Sequence, residues 1–132
     1  MLGDVGPETP VPKVDSGVVH VRSELLPDAV GVVTVIGEID LHAASSLRSE
    51  LTAVSDGAAA IVVVDLSAAT FIDSMTLGVL TGAGRRLAQR GGELRIDCVD
   101  PNIRRIFGLT LLDRLLPIYP SRTAALERPG TA

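Results

Sequence analysis

Asp73 and Ser74 stand directly before a stretch of apolar residues at helical spacing that runs from Val79 to Leu87. Asp73 is a favourable N-cap because its carboxylate can accept a hydrogen bond from an unpaired backbone N–H. Ser74 would then lie in the first turn, where free N–H groups and the positive end of the helix dipole favour a phosphate. Phosphorylation would add roughly −1.5 to −2 charges at that point. The spacing therefore predicts a hydroxyl that can change the surface charge of an intact fold.

Small residues form a second pattern on the same predicted helix. Ser74, Gly78 and Gly82 are spaced at i, i+4 and i+8, and they share a face with Thr81 and Arg85. Each glycine inside a helix costs about 1 kcal/mol relative to alanine. Three interpretations are open at this point: a face without bulk that admits a partner protein, close packing of the helix against a strand, or simple sequence drift.

Other reactive groups form weaker patterns. Ser74 and His42 with an aspartate could suggest a hydrolase triad, but the sequence has no Gly-x-Ser-x-Gly elbow. Asp65, Asp73 and Asp97 could suggest a magnesium cluster, although aspartates at strand ends more often cap helices. The sequence also has no GxxxxGK loop for nucleotide phosphates. We therefore expect no catalytic residue, no metal and no cofactor.

The composition narrows the class of protein. A chain of 132 residues with 46% hydrophobic and 21% charged residues suits one globular domain. The net charge of −4 and the three aromatic residues argue against nucleic-acid binding by charge or by base stacking. Cys98 is the single cysteine, and we expect it to be a buried, inert thiol in a reduced cytoplasmic protein. The apolar runs are too short to span a membrane.

Predicted strands and helices alternate along the chain. We expect one domain over residues 17–127, with flexible tails at 1–16 and 128–132. The predicted strands are Val18–Ser23, Gly31–Ile36, Ala60–Leu66, Glu93–Val99 and a short edge strand at Leu115–Tyr119. The predicted helices cover 43–54, 75–90, 101–108 and 121–127. This order predicts an α/β fold with a mixed, mostly parallel sheet of four to five strands, an antiparallel edge strand and about four helices.

Three turns follow the predicted parallel strands, and they should meet at one edge of the sheet. They cover residues 37–40, 67–74 and 97–102. In open sheets of this kind, ligands and partners bind where parallel strands end and helices begin. This edge is therefore where we expect the functional site.

The motifs at these turns resemble a known family. They are Gly37-Glu38-Ile39-Asp40, Val64-Asp65-Leu66-Ser67, and Phe71-Ile72-Asp73-Ser74 followed by Leu77-Gly78-Val79-Leu80. With their order and spacing, the chain from Val32 to Leu126 resembles the STAS domain and, within it, the bacterial anti-sigma factor antagonists. The resemblance covers about three-quarters of the chain. It implies a single STAS-like domain.

The resemblance also implies a function. In that family, an anti-sigma factor with a serine-kinase ATPase fold phosphorylates the serine that matches Ser74. The unmodified antagonist binds this kinase and frees a sigma factor, and a serine phosphatase resets the pair. The partner-binding residues expected from the motifs and the helix face are Glu38, Asp40, Asp73, Ser74, Met75, Gly78, Thr81, Gly82 and Arg85.

The turn after Ser74 departs from the family pattern. Met75-Thr76 stand where family members usually carry small residues, often Ser-Gly. Thr76 is a second hydroxyl in the same turn and hence the alternative acceptor. The alternative function is that of a non-phosphorylated accessory subunit of a lipid-transport ABC complex, because some stand-alone STAS proteins act in that way.

Overall fold

Five strands and four helices alternate in the computed structural model, which describes residues 20–38, 41–57 and 59–127. The strands are β1 (His20–Leu26), β2 (Val30–Glu38), β3 (Ile61–Phe71), β4 (Glu93–Asp97) and β5 (Ile118–Tyr119). The helices are α1 (Leu41–Ser55), α2 (Ser74–Gln89), α3 (Pro101–Leu109) and α4 (Arg122–Glu127), with a 3₁₀ turn at Leu112–Arg114. Among these described helices, none is both long and apolar enough to cross a bilayer.

The strand order in the sheet follows the chain order, β1-β2-β3-β4-β5. β1 and β2 are antiparallel, with Leu26 opposite Val30 across a tight turn in which Asp28 and Ala29 adopt positive φ angles. The three other pairs, β2–β3, β3–β4 and β4–β5, are parallel. The predicted mixed, mostly parallel sheet with an antiparallel edge strand is therefore confirmed.

Both faces of the sheet are covered. Helices α1, α2 and α3 pack their apolar residues on one face, in a core that contains Val62, Val64 and Ile96. A smaller core on the other face contains Val63 and Ala125, with α4 as the cover. Successive residues of a strand point to opposite faces. The continuous apolar run of β3 is thus explained, because each face needs its own apolar residues.

The element bounds differ from the sequence prediction in several places. β1 runs to Leu26 instead of ending at Ser23, and β3 continues to Phe71 instead of ending at Leu66. β5 is only two residues long, and the 3₁₀ turn before it was missed. The predicted start of the first strand at Val18, the tails at 1–16 and 128–132, and Asp40 lie outside the described residues.

The face of β4 opposite Leu94 and Ile96 carries two polar residues that do not reach water. Arg95 and Asp97 alternate with these apolar residues, and their exposed fractions are 1% and 0%. The reason is that α4 packs across β3, β4 and β5 on that face. A polar side chain opposite a core face need not reach water when a second layer covers it.

Candidate functional site

The carboxyl ends of the parallel strands meet at one edge of the sheet. Glu38, the last residue of β2, lies in register with Phe71, the last residue of β3. Gly37 has a φ of 101°, a conformation that favours glycine, and the exposed Glu38 follows it. The turn after β3 leads directly into α2, whose first residue is Ser74. The structure thus brings together two of the motifs that the sequence singled out.

Asp73 caps the N-terminus of α2, as predicted. Its backbone is extended, and its Oδ1 accepts a hydrogen bond of 2.9 Å from the backbone N–H of Thr76. The hydrogen bond from the backbone N–H of Thr76 holds the pKa of Asp73 below the usual range. Asp73 is therefore a carboxylate at neutral pH, placed directly beside Ser74.

Ser74 is exposed at the start of α2. N–H groups in the first turn of a helix have no partner within the helix, so they can donate to an anion placed there. Thr76 differs from Ser74, since its exposed fraction is 0%. An enzyme could not reach the Thr76 hydroxyl without opening the helix end. Its burial argues against the alternative acceptor and leaves Ser74 as the accessible hydroxyl of this turn.

The small residues of α2 face solvent. A Cβ added to Gly78 would meet no atom within 4 Å, and one added to Gly82 would meet only Arg86 Nη1, at 3.6 Å. Arg85 is exposed, and the half-buried Thr81 donates its hydroxyl hydrogen bond to the carbonyl of Leu77 within the same helix. Of the three interpretations, close packing of this face against a strand is therefore excluded, and the partner face and sequence drift stay open.

Close packing of α2 occurs at a different glycine, which the sequence analysis did not single out. A Cβ added to Gly84 would lie 2.6 Å from Cδ2 of Leu116, a buried residue that precedes β5. Gly84 follows the buried Ala83, and its place in the apolar stripe was the available signal. Two exposed apolar residues also lie at the candidate edge: Met75 in α2 (47% exposed) and Val99 after β4 (59% exposed).

The three aspartates considered as a magnesium cluster do not come together. Asp65 and Asp97 lie in register on β3 and β4, whereas Asp73 caps α2. Within the described ranges, no group of three or more His, Cys, Asp or Glu residues could hold a metal ion. Cys98 is fully buried as expected, and burial raises the pKa of its thiol. The side chain of His42 lies outside the described residues.

The sequence of this chain is similar to those of known proteins. The STAS domain family matches residues 21–125. An anti-sigma F factor antagonist from Paenibacillus polymyxa is 30% identical over 96 residues, which cover 72% of this chain and 82% of the relative. An anti-sigma-B factor antagonist from Bacillus subtilis is 29% identical over 86 residues, which cover 65% and 78% of the two chains.

Solved structures share the arrangement. A crystal structure of an anti-sigma factor antagonist from Mycobacterium paratuberculosis matches with a TM-score of 0.75 and 34% identity, covering 83% of this chain and 92% of the other. The phosphorylated form of SpoIIAA, a Bacillus cell fate determinant, matches in fold with a TM-score of 0.67 and 22% identity, covering 83% and 98%. With the motifs around Ser74 and the five-stranded mixed sheet, these matches show that the chain belongs to the STAS-domain anti-sigma factor antagonist family.

Proposed function

We propose that this protein binds a kinase-type anti-sigma factor, so that a sigma factor is released, and that phosphorylation of Ser74 ends this binding. The observation that carries the proposal is the exposure of Ser74 as the first residue of α2, directly after the N-cap Asp73. The role is one of binding rather than catalysis. A serine phosphatase would restore the unmodified form, and the cycle would run in the cytoplasm.

The position of Ser74 explains how a phosphate could alter docking without altering the fold. Phosphate oxygens would accept hydrogen bonds from the N–H groups of the first turn, so the helix end tolerates the added charge. The same charge would stand beside the carboxylate of Asp73 and at the edge that carries the exposed Glu38. Burying such a concentration of negative charge in an interface has a high desolvation cost, and binding would weaken. A phosphorylated form is described for SpoIIAA, which shares this fold.

The open surface around Ser74 supports the proposal of a protein partner. Gly78 and Gly82 leave the exposed face of α2 without bulk, so a partner's backbone can come close. Met75 offers an apolar contact at one end of this face, and Arg85 offers a cation farther along it. Glu38, Asp40, Asp73 and Thr81 belong to the proposed interface as well. We infer that the partner presents an apolar pocket for Met75.

Intact-mass measurement with the cognate kinase and ATP tests the acceptor. The wild-type chain should gain one phosphate, and the Ser74→Ala variant should gain none. Ser46→Ala is a matched control, since Ser46 is an exposed serine on α1 and its replacement should not affect uptake. Phosphate on the Ser74→Ala variant would overturn the assignment of the acceptor.

Partner binding tests the switch. Ser74→Ala should retain affinity for the anti-sigma factor, whereas Ser74→Asp should lose it because the variant places a charge in the contact. Ser46→Asp, at an exposed position of α1, should bind like wild type. Equal affinity of wild type and Ser74→Asp would remove the switch. Recovery of a transporter ATPase subunit from native cells, without any phosphate cycle, would favour the accessory-subunit role instead.

A further inference from the structure

Two aspartates lie side by side on the face of the sheet that α4 covers. Asp65 of β3 and Asp97 of β4 are register partners in adjacent parallel strands, so their side chains point to the same face. Their exposed fractions are 6% and 0%. Helix α4 packs over β3 and β4 on this face and shields the pair from solvent.

The hydrogen bonds around the pair leave one donor missing between the two carboxyl groups, and a proton can supply it. Asp65 Oδ1 accepts from the backbone N–H of Ser67 at 2.9 Å and from its hydroxyl at 2.6 Å. Both carboxyl oxygens of Asp97 are buried, and no donor from the described residues reaches them. Two ionised carboxylates can only accept, so they cannot satisfy each other. A proton on Asp97 provides the missing donor, and Asp65 then becomes its acceptor.

The arginines near the pair also interact with other groups, so they do not balance a second buried negative charge on Asp97. Arg122, at the start of α4, lies 4.0 Å from Asp65 Oδ2, but it also donates to Glu24 of β1 at 3.2 Å. Arg95 faces the same side of β4 and is bound to Glu93 and to the carbonyl of Ala125. The other polar residues that face the pair from neighbouring strands are Thr34 of β2, Arg22 of β1 and Tyr119 of β5, which is in register with Asp97.

We propose that Asp65 and Asp97 share a single proton while α4 is docked, and that release of this proton is coupled to opening of α4, which makes the C-terminal helix a pH-responsive cover. This inference does not rest on the proposed function of Ser74. A shared proton fits the pair better than a metal ion, because Arg122 already occupies the cationic position beside Asp65.

The expected pH dependence follows from the burial of Asp97. Burial, reinforced by the hydrogen bond and the charge of Asp65, raises the pKa of Asp97 from 3.8 to about 8, although Arg122 opposes this shift. Burial alone would also raise the pKa of Asp65, but hydrogen bonds from Asp97 and Ser67 and the charge of Arg122 hold it below its ordinary value. The closed form therefore binds a proton more tightly than the open form between 3.8 and about 8, and rising pH favours opening.

Helix α4 is the element that should respond. It is six residues long and contributes Ala125 as its buried residue, so opening it exposes far less apolar surface than unfolding the sheet would. Local openings of this kind require less free energy than global unfolding. Opening α4 would also admit water to Asp97 and so remove the cause of its raised pKa. The coupling is therefore expected in α4 before it affects the rest of the fold.

Carbon-13 NMR of the side-chain carboxyls in the wild-type chain tests the shared proton without any substitution. One aspartate carboxyl should titrate with a midpoint near 8, and its signal should be missing from the Asp97→Asn variant. If every aspartate carboxyl titrates in the ordinary acidic range, the proposal is overturned. If millimolar Mg²⁺ or Ca²⁺ abolishes the neutral titration, the pair is a metal site and the proposal also fails.

Hydrogen exchange tests the coupling to α4. The protection of the Ala125 amide, which donates to the carbonyl of Ser121, is taken relative to the exchange rate of an unstructured peptide of the same local sequence at each pH, which cancels the intrinsic effect of pH. In the wild-type chain this relative protection should fall by up to about tenfold per pH unit below the raised pKa and then level off. Asp97→Asn keeps a donor for Asp65 and should remove the dependence, whereas Asp113→Asn, an exposed control, should behave like wild type. Identical profiles for wild type and Asp97→Asn would overturn the coupling.

Discussion

Arg95 in β4 donates a hydrogen bond of 2.7 Å from Nη1 to the carbonyl oxygen of Ala125 in α4. The same guanidinium lies 3.0 Å from Glu93 Oε1 and 6.0 Å from the centre of the Tyr119 ring. Its exposed fraction is 1%, so these contacts take the place of water. A charged residue in the middle of the sheet thus holds the C-terminal helix in position.

Replacement of Arg95 should therefore be costly. Arg95→Met keeps much of the volume but leaves Glu93 and the Ala125 carbonyl without this donor, and we expect a loss of about 3 kcal/mol in the free energy of unfolding. Urea denaturation measures it. Arg104→Met is the control, since Arg104 is exposed on α3 and its change should stay within about 0.5 kcal/mol. Equal losses in the two variants would contradict the role given to Arg95.

Asp73 should stabilise α2 as a charged cap. Asp73→Ala should lower the free energy of unfolding by about 1 kcal/mol at neutral pH, and Asp73→Asn should lose less because its amide oxygen can still accept. The pKa of Asp73 is lowered by the hydrogen bond from the backbone N–H of Thr76. Its ionic contribution is therefore present above the ordinary aspartate pKa and is lost as pH falls through the lowered value. Denaturation at neutral pH and near pH 2 should show the wild-type advantage over Asp73→Ala shrinking in acid.

The same substitution at two glycines of α2 should have opposite effects on stability. Gly78→Ala should raise the free energy of unfolding by about 1 kcal/mol, because the new Cβ meets no atom and alanine favours helix. Gly84→Ala should lower it by about 1 kcal/mol, because Leu116 must move. Thermal unfolding gives both values.

Gly78→Ala also separates stability from docking. If the exposed face of α2 meets a partner closely, this variant should bind the anti-sigma factor more weakly although it is more stable. Calorimetric titration measures the affinity. Unchanged affinity would place the contact on another part of the edge, because the added methyl group stands on the open face.

Cys98 should be unreactive in the native chain. Burial raises the pKa of its thiol, and its exposed fraction is 0%, so both thiolate formation and reagent access are suppressed. A disulfide reagent at neutral pH should label it at least about 100-fold more slowly than in denaturant, since labelling must wait for opening of the fold. Rapid labelling of the folded chain would show that this strand end opens easily.

Much of the architecture around Ser74 could be predicted from local patterns. The N-cap at Asp73 and the apolar stripe of α2 depend on residues close in sequence, and both appear in the structure. The end of β3 was harder to predict, because Ser67 and Thr70 resemble loop residues. Pairing of residues 68–71 with residues 36–38 of β2, across an irregular register, is what continues the strand.

The burial of Arg95 and Asp97 shows why the rest could not be predicted. Alternation along β4 is the same whether its second face meets water or a helix distant in sequence. Whether this face is buried depends on α4, which packs across the sheet. A helix of six residues gives only a weak signal in the sequence. The different surroundings of Gly78 and Gly84 could not be predicted for the same reason. Leu116 is distant in sequence from Gly84, and only the tertiary fold brings the two residues into contact.

The identity of strand order and chain order has a consequence for synthesis on the ribosome. Each strand that emerges can add beside the one made before it, so no later segment has to insert between strands already paired. Helix α4 is the exception, because it follows all the described strands in the chain and packs on the face opposite α1, α2 and α3. While residues 121–127 have not yet emerged from the ribosome, the Arg95 guanidinium and the Asp65–Asp97 pair lack their cover, and quality-control factors could recognise this face of the sheet.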